Sequence, residues 1–244
     1  MNTTEIEFEH SVVSRSEWLA SRKALLEKEK EFTRLRDNLC AERRGLPWVK
    51  VGEDYAFDGP SGKVSLAALF GKNSQLIVYH FMFDPAWEEG CPGCSFLSDH
   101  VDSARQHFEQ RDVSFVAISR APVEKLESYR KRMGWKFTWV SSAENEFNYD
   151  YHVSFTEEQV ASGEATYNYE PQTEAGECPG ASVFYKDKHG DIFHTYSSYA
   201  RGDEGTLGAF MWMDLTPKGR NEETTMDWIR RHDQYESPTS KCCH

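Results

Sequence analysis

The chain has 244 residues, 39% hydrophobic and 14% aromatic, which is apolar bulk enough for a packed core and excludes disorder as the dominant state. Its 28 Lys and Arg stand against 40 Asp and Glu, a net charge of −12 with no basic stripe, so no nucleic-acid partner is expected. The apolar runs, such as Leu76 to Phe83, are too short to span a membrane, and Met1 to Glu5 lacks the basic start and apolar run of a secretory signal; the expectation is a cytoplasmic protein.

Ser14 and Glu17 have capping-box spacing and open a helix over about Ser16 to Arg44, along which Trp18, Leu25, Leu26, Phe32, Leu35 and Leu39 keep helical spacing. Gly45 and Pro47 close it. Its charges, Glu27 to Lys30 with Glu31, Arg34 and Arg36, read as a solvated face; the alternative is a homodimer contact through this helix. Residues 1–47 are therefore set apart as an N-terminal helical extension.

From Trp48 the pattern becomes extended. Tyr55 to Phe57 and Lys63 to Ser65 flank the turn Asp58 to Gly62, which predicts a hairpin, and Leu66 to Phe70 reads as a helical turn. Gln75 to Phe83 is nearly continuous apolar sequence, as in a strand buried on both faces. A helix is expected from near Cys91 to Arg111, then a strand over Val113 to Ser119. Pro122 to Gly134 has proline at its first turn and glycine at its end, as helices do. Phe137 to Val140 is a short strand. Ala181 to Lys186 and Asp191 to Tyr196 flank Asp187 to Gly190 as a hairpin, and a last helix is expected around Thr225 to His232. The order is α/β with a central mixed sheet. The main domain is placed at residues 48–220 with an insertion at about 145–177, and residues 221–244 form a C-terminal helix and tail.

Six cysteines are present, at 40, 91, 94, 178, 242 and 243. In a reducing compartment, paired cysteines point to redox chemistry or metal, so spacing decides. Cys91-Pro92-Gly93-Cys94 lies between a buried strand and a helix start, where unpaired amides and the helix dipole favour a thiolate on the first cysteine. The second thiol is placed to attack a mixed disulfide on the first. A zinc knuckle would need a second pair at the same spacing, and Cys242-Cys243 is adjacent instead.

The stretch from Tyr55 to Tyr199 resembles the thioredoxin-like superfamily in its peroxiredoxin-like branch: the hairpin before the core, the entry Gly62 to Leu66, the strand into Cys91, then Phe115 to Arg120 and Lys131 to Gly134. The whole chain is similar to a bacterial thioredoxin-like family of unknown function, through Val13 to Leu19, Tyr79 to Phe83, Gly90 to Phe96 and Val183 to Tyr185. The resemblance implies a three-layer thioredoxin-like fold with the long N-terminal and the C-terminal helix added. It implies a cis-proline beside the dithiol, for which Pro179 is the well-placed residue. Cys178 before it then faces the dithiol as a third thiol or metal ligand, or is a small buried apolar residue. Where thioredoxins hold a buried carboxylate, strand alignment puts His80, read as a base for Cys94, a metal ligand or a satisfied core histidine. Peroxiredoxins carry Thr or Ser three residues before the reactive thiol; Glu88 stands there relative to Cys91, which speaks against that peroxidase chemistry.

Trp87, Glu88 and Glu89 read as a substrate rim, with the acids opposing thiolate formation. The aromatic insertion Phe147 to Glu177 reads as a cover over the dithiol, as packing or as a dimer contact. The tail Cys242-Cys243-His244 reads as an electron donor, a soft-metal site or a frayed end. Three functions follow. The first is a thiol–disulfide oxidoreductase acting on a small or protein thiol or disulfide, with Cys91 attacking, Cys94 resolving and no cofactor. The second is a copper-binding protein or metalloenzyme using Cys91, Cys94 and His80. The third is a non-catalytic interaction module.

Overall fold

The computed structural model describes residues 10–235, so the Cys242-Cys243-His244 tail lies outside the described residues. The chain divides between Pro47 and Trp48 into two compact units. The first carries α1 (Arg15–Arg44), with the Ser14–Glu17 capping box formed, Gly45 at its end, and Arg43 and Arg44 in its last turn where they favour the dipole. None of its side chains is buried.

The second unit opens with β1 (Val49–Lys50), the hairpin β2 (Ala56–Gly59) and β3 (Gly62–Ser65), and the turn α2 (Leu66–Leu69). Next come β4 (Gln75–His80), α3 (Pro92–Phe108), β5 (Val113–Ser119), α4 (Val123–Met133) and β6 (Thr138–Ser141). The following segment holds α5 (Phe147–Asp150), β7 (Ser154–Phe155), α6 (Glu157–Ser162), β8 (Thr166–Tyr167), β9 (Glu170–Pro171) and β10 (Gly176–Glu177). The long hairpin β11 (Gly180–Lys186) and β12 (Ile192–Tyr199) and the short α7 (Gly208–Met213) complete it.

The main sheet runs β1-β12-β11-β4-β5-β6-β2-β3. β4, β5 and β6 are parallel, joined by crossovers through α3 and α4, while β11 is antiparallel to β4 and β12. A βαβ unit whose first strand also pairs with an antiparallel hairpin is the thioredoxin-like arrangement, and this is the fold of the second unit. Because strand side chains alternate between faces, β4 divides its residues. Leu76 and Val78 join Val116, Ile118 and Phe184 in one core, under Phe57, Phe70 and Phe147. Tyr79, with Phe115 and Ala117, joins the other, with Leu97 of α3 and Leu126, Tyr129 and Met133 of α4.

Several expectations change. β4 ends at His80, and residues 81–90 loop out and return. The helix expected over Thr225 to His232 is a run of turns with Met226 at φ +66°. There the Asp227 carboxylate accepts the amides of Glu223 and Thr224, both at 3.0 Å, and Glu222 accepts the Met226 amide and the Trp228 indole. Acidic side chains that bind local backbone amides compete with helix formation. No peptide bond among the described residues is cis, so Pro179 is trans. That is the cheaper form for X–Pro, and around it the Cys178 amide donates to the Val153 carbonyl at 2.8 Å and the Tyr167 hydroxyl to the Pro179 carbonyl at 2.7 Å.

Candidate active site

Cys91 stands at the N-cap of α3, with Pro92 at the first helical position, where its missing N–H costs nothing. The Cys91 amide donates to the Met82 carbonyl at 3.1 Å, and its own carbonyl accepts the Ser95 amide and hydroxyl at 2.9 and 2.8 Å. The chain must pass tightly here. A Cβ on Gly90 would lie 2.6 Å from the Phe81 ring, so only glycine fits, and one on Gly93 would meet Met226 Cε at 3.2 Å.

The two thiols are free and unlike each other. Cys91 is partly exposed, and its pKa is lowered to about 6. The largest cause is the hydrogen bond from Cys94, followed by the Cys94 and Gly93 amides and the positive charge of Arg231, against a burial penalty. No side-chain capping bond closes on Cys91, so those amides act on the sulfur through their dipoles. Cys94 is buried and its pKa is pushed well up, first by burial and then by sharing its proton with Cys91. Its sulfur faces the Met82 amide at 3.4 Å and the Tyr79 hydroxyl. One thiol thus favours its thiolate while its partner keeps its proton.

Arg231 reaches the site from the C-terminal segment. Its guanidinium donates to the Gly90 carbonyl at 2.6 Å and to the Tyr129 hydroxyl at 2.9 Å, and that hydroxyl meets Ser95 Oγ at 2.9 Å. Glu89, expected to oppose a thiolate, is paired with Arg231 at 2.8 Å and with Arg132, which hold its carboxyl low. The charge of Glu89 is thereby balanced, while Glu88 stays exposed.

A cleft of about 290 Å³ opens at the dithiol, lined mainly by apolar groups, among them Tyr79, Leu97, Pro179, Leu207 and Met226. Asp203 also lines it. Burial raises that carboxyl to about 6, against a hydrogen bond from Ser198. None of the cleft-lining residues comes from the insertion. Instead the insertion packs Phe147 and Tyr151 on the opposite face of the sheet.

Of the residues singled out from sequence, Cys91, Cys94 and Pro179 share this cleft. His80 does not join them. It is the residue after Tyr79, so it points to the other face, where Nε2 meets Ser182 Oγ at 2.8 Å and the ring stacks on Tyr151. It cannot be the base for Cys94 or complete a copper set with the two sulfurs, and the described residues hold no cluster of three His, Cys, Asp or Glu side chains fit for a metal. Cys178 is half-buried outside the cleft lining, with its thiol raised to about 11 by burial and by Glu177 and Glu174. That keeps it protonated at neutral pH. Trp87 does not line the cleft either; its carbonyl and that of Pro85 hold Lys125 Nζ at 2.9 and 3.0 Å. Tyr79 was readable from strand alternation once Cys94 was placed. Nothing local marked Arg231, Asp203 or Met226.

A family model described as "Bacterial protein of unknown function (DUF899)" matches residues 7–235. No curated protein matches the sequence. Among solved structures, the peroxidoxin BcpB from Mycobacterium tuberculosis is 15% identical, with 67% of this chain and 94% of that one covered at a TM-score of 0.45. A mutant of PrxQ from Xylella fastidiosa is 15% identical over 68% and 94% at 0.46. A Chlorobium tepidum protein assigned as thiol:disulfide interchange protein DsbE is 14% identical over 70% and 99% at 0.41.

Proposed function

The chain belongs to the bacterial DUF899 family, whose description carries no reaction, and we propose from the site itself that it is a thiol–disulfide oxidoreductase using Cys91 and Cys94. The observation that carries this reading is the pairing of a lowered, accessible Cys91 with a buried, protonated Cys94 at the start of α3. Peptide amides, Arg231 and the Cys94 proton all favour negative charge on Cys91, so its thiolate is present at neutral pH.

The Cys91 thiolate attacks one sulfur of a substrate disulfide. The substrate S–S bond breaks, the second substrate sulfur leaves as a thiolate, and a Cys91–substrate mixed disulfide forms. Cys94 then loses its proton and attacks the Cys91 sulfur, expelling the first substrate sulfur as a thiolate. The protein ends with a Cys91–Cys94 disulfide, oxidised by two electrons, and the substrate ends as two thiols. The Cys94 proton passes to the substrate thiolate released in the first step, and the Tyr79 hydroxyl, which burial keeps protonated, donates the hydrogen bond that favours the Cys94 thiolate as it attacks.

Reduced protein mixed with excess hydroxyethyl disulfide is expected to release two thiols per chain and to yield a Cys91–Cys94 peptide disulfide by mass mapping. Cys94→Ser is expected to stop at the mixed disulfide on Cys91, and Cys91→Ser to form neither. Equal reaction of wild type and Cys91→Ser overturns the reading.

A further inference from the structure

The dithiol cleft does not end at Cys94. A second chamber of about 320 Å³ shares Tyr79, Leu97 and Asp203 with it and continues between α3 and the sheet. Its helix wall is Leu97, Val101, Ala104 and Phe108, which with Cys94 make one stripe at spacings of three and four residues. From Cys94 to Phe108 that stripe runs about 21 Å at 1.5 Å per residue. The sheet wall is Ile77 and Tyr79 of β4 with Ala181 of β11, the register partner of Tyr79. Ile77, Ala181 and Val101 stay only partly buried, although they lie between a helix and a sheet where side chains normally close-pack.

Polar groups along the slot are few. His100 is satisfied, with Nδ1–H donating to the Phe96 carbonyl at 2.7 Å and Nε2 accepting the Ala209 amide at 3.0 Å. Asp203 stands at the junction of the chambers, and this carboxylate, in a chain of net charge −12, repels an anion. At the outer rim Glu204 is tied to Arg201 at 2.9 Å and to Arg220.

We propose that the two chambers form one binding slot for a neutral disulfide that carries an aliphatic arm: the disulfide sits at Cys91 and the arm lies along α3 toward Phe108. This rests on the reading of the dithiol above and names the substrate class for it. The exchange is the one already written, with the armed sulfur held as the mixed disulfide on Cys91 and released as an alkyl thiol when Cys94 attacks. The arm adds no redox step; it brings the reacting sulfur to Cys91 through burial of its methylenes.

The test measures the rate constant for oxidation of reduced protein by hexyl 2-hydroxyethyl disulfide and by bis(2-hydroxyethyl) disulfide, which share the reacting group and differ in the arm. Wild type is expected to favour the hexyl compound about tenfold or more, a ratio that burial of two methylenes already supplies. Val101→Phe and, separately, Ala181→Leu fill the far chamber and are expected to bring that ratio toward one. Octanamide, which has the arm and no disulfide, is expected to slow iodoacetamide alkylation of Cys91. A wild-type ratio near one, a ratio unchanged in both variants, or no protection by octanamide overturns the slot. Protection by octanamide with neither disulfide reacting supports the slot and removes the exchange reaction.

Discussion

The two faces of β4 differ in what they do with the same strand. On one face Leu76 and Val78 are fully buried beneath Phe57, Phe70, Phe147 and Phe184. Polar groups there form a chain running from His80 Nε2 through Ser182 and Ser197 to His194 Nε2, at 2.8, 2.8 and 2.7 Å, while His80 Nδ1 is buried without a hydrogen-bond partner. On the other face Ile77 and Tyr79 line open space that leads to Cys91. The sealed face contributes stability; the open face gives up close packing for access. A thiol that must meet substrate cannot sit in a filled core, and the fold separates the two demands by the alternation of one strand.

The largest effects follow from breaking that contrast. Phe184→Ala on the sealed face is expected to lower stability by about 3–5 kcal/mol, because it opens a cavity. Ile77→Ala on the open face is expected to cost only about 1 kcal/mol, since space already exists beside it. Urea unfolding of both variants measures the difference, and equal losses would erase the distinction between the faces. Next in size is Gly90→Ala, whose methyl overlaps the Phe81 ring. Overpacking of this kind costs about 1–3 kcal/mol, read in the same unfolding experiment.

The sealed face also sets an acid limit. Burial lowers His80 from 6.5 to about 3, so it stays neutral in the folded chain, and burial moves His194 in the same direction. Unfolded histidine takes a proton below pH 6.5 while folded His80 does not, so its contribution to stability is whole above that pH and is lost as pH falls toward 3. Unfolding midpoints from pH 7 to 4 are expected to fall, with His80 supplying at most about 1.4 kcal/mol per pH unit. His80→Gln is expected to flatten that slope, and a slope left unchanged would mean that His80 is not held neutral.

The smallest effect sharpens the open face. Arg231→Gln removes a positive charge that favours the Cys91 thiolate, so the midpoint of the alkylation-rate profile should rise from about 6. A half-unit rise would slow alkylation at pH 6 by about twofold. An unmoved midpoint would leave the amides and Cys94 as the whole cause of the lowered thiol.

Much of this was legible in the chain. Capping residues, the Gly62 turn, the apolar run into β4 and the Pro/Gly punctuation of α4 are local signals, and each produced its element. The cysteine pair was legible for the same reason: two residues of spacing at a helix start fix both thiols without reference to the rest of the fold. Of the three readings of His80 the core histidine fits and the base and the metal ligand do not, because residues 81–90 loop out of the strand before Cys94 and strand parity puts His80 on the face opposite Tyr79. The turn at Met226 depended on carboxylates of Glu222 and Asp227 capturing backbone amides, which apolar periodicity does not register.

The sequence by itself determined the strands and helices of the βαβ core and its two hairpins, the position of the dithiol and the sign of the protein's charge, because these depend on neighbours within a few residues. Tertiary structure alone decided that Arg231 and Asp203 belong to the site and that a slot lies open along α3. Those depend on groups more than a hundred residues apart being brought together by burial, and no local pattern carries that distance.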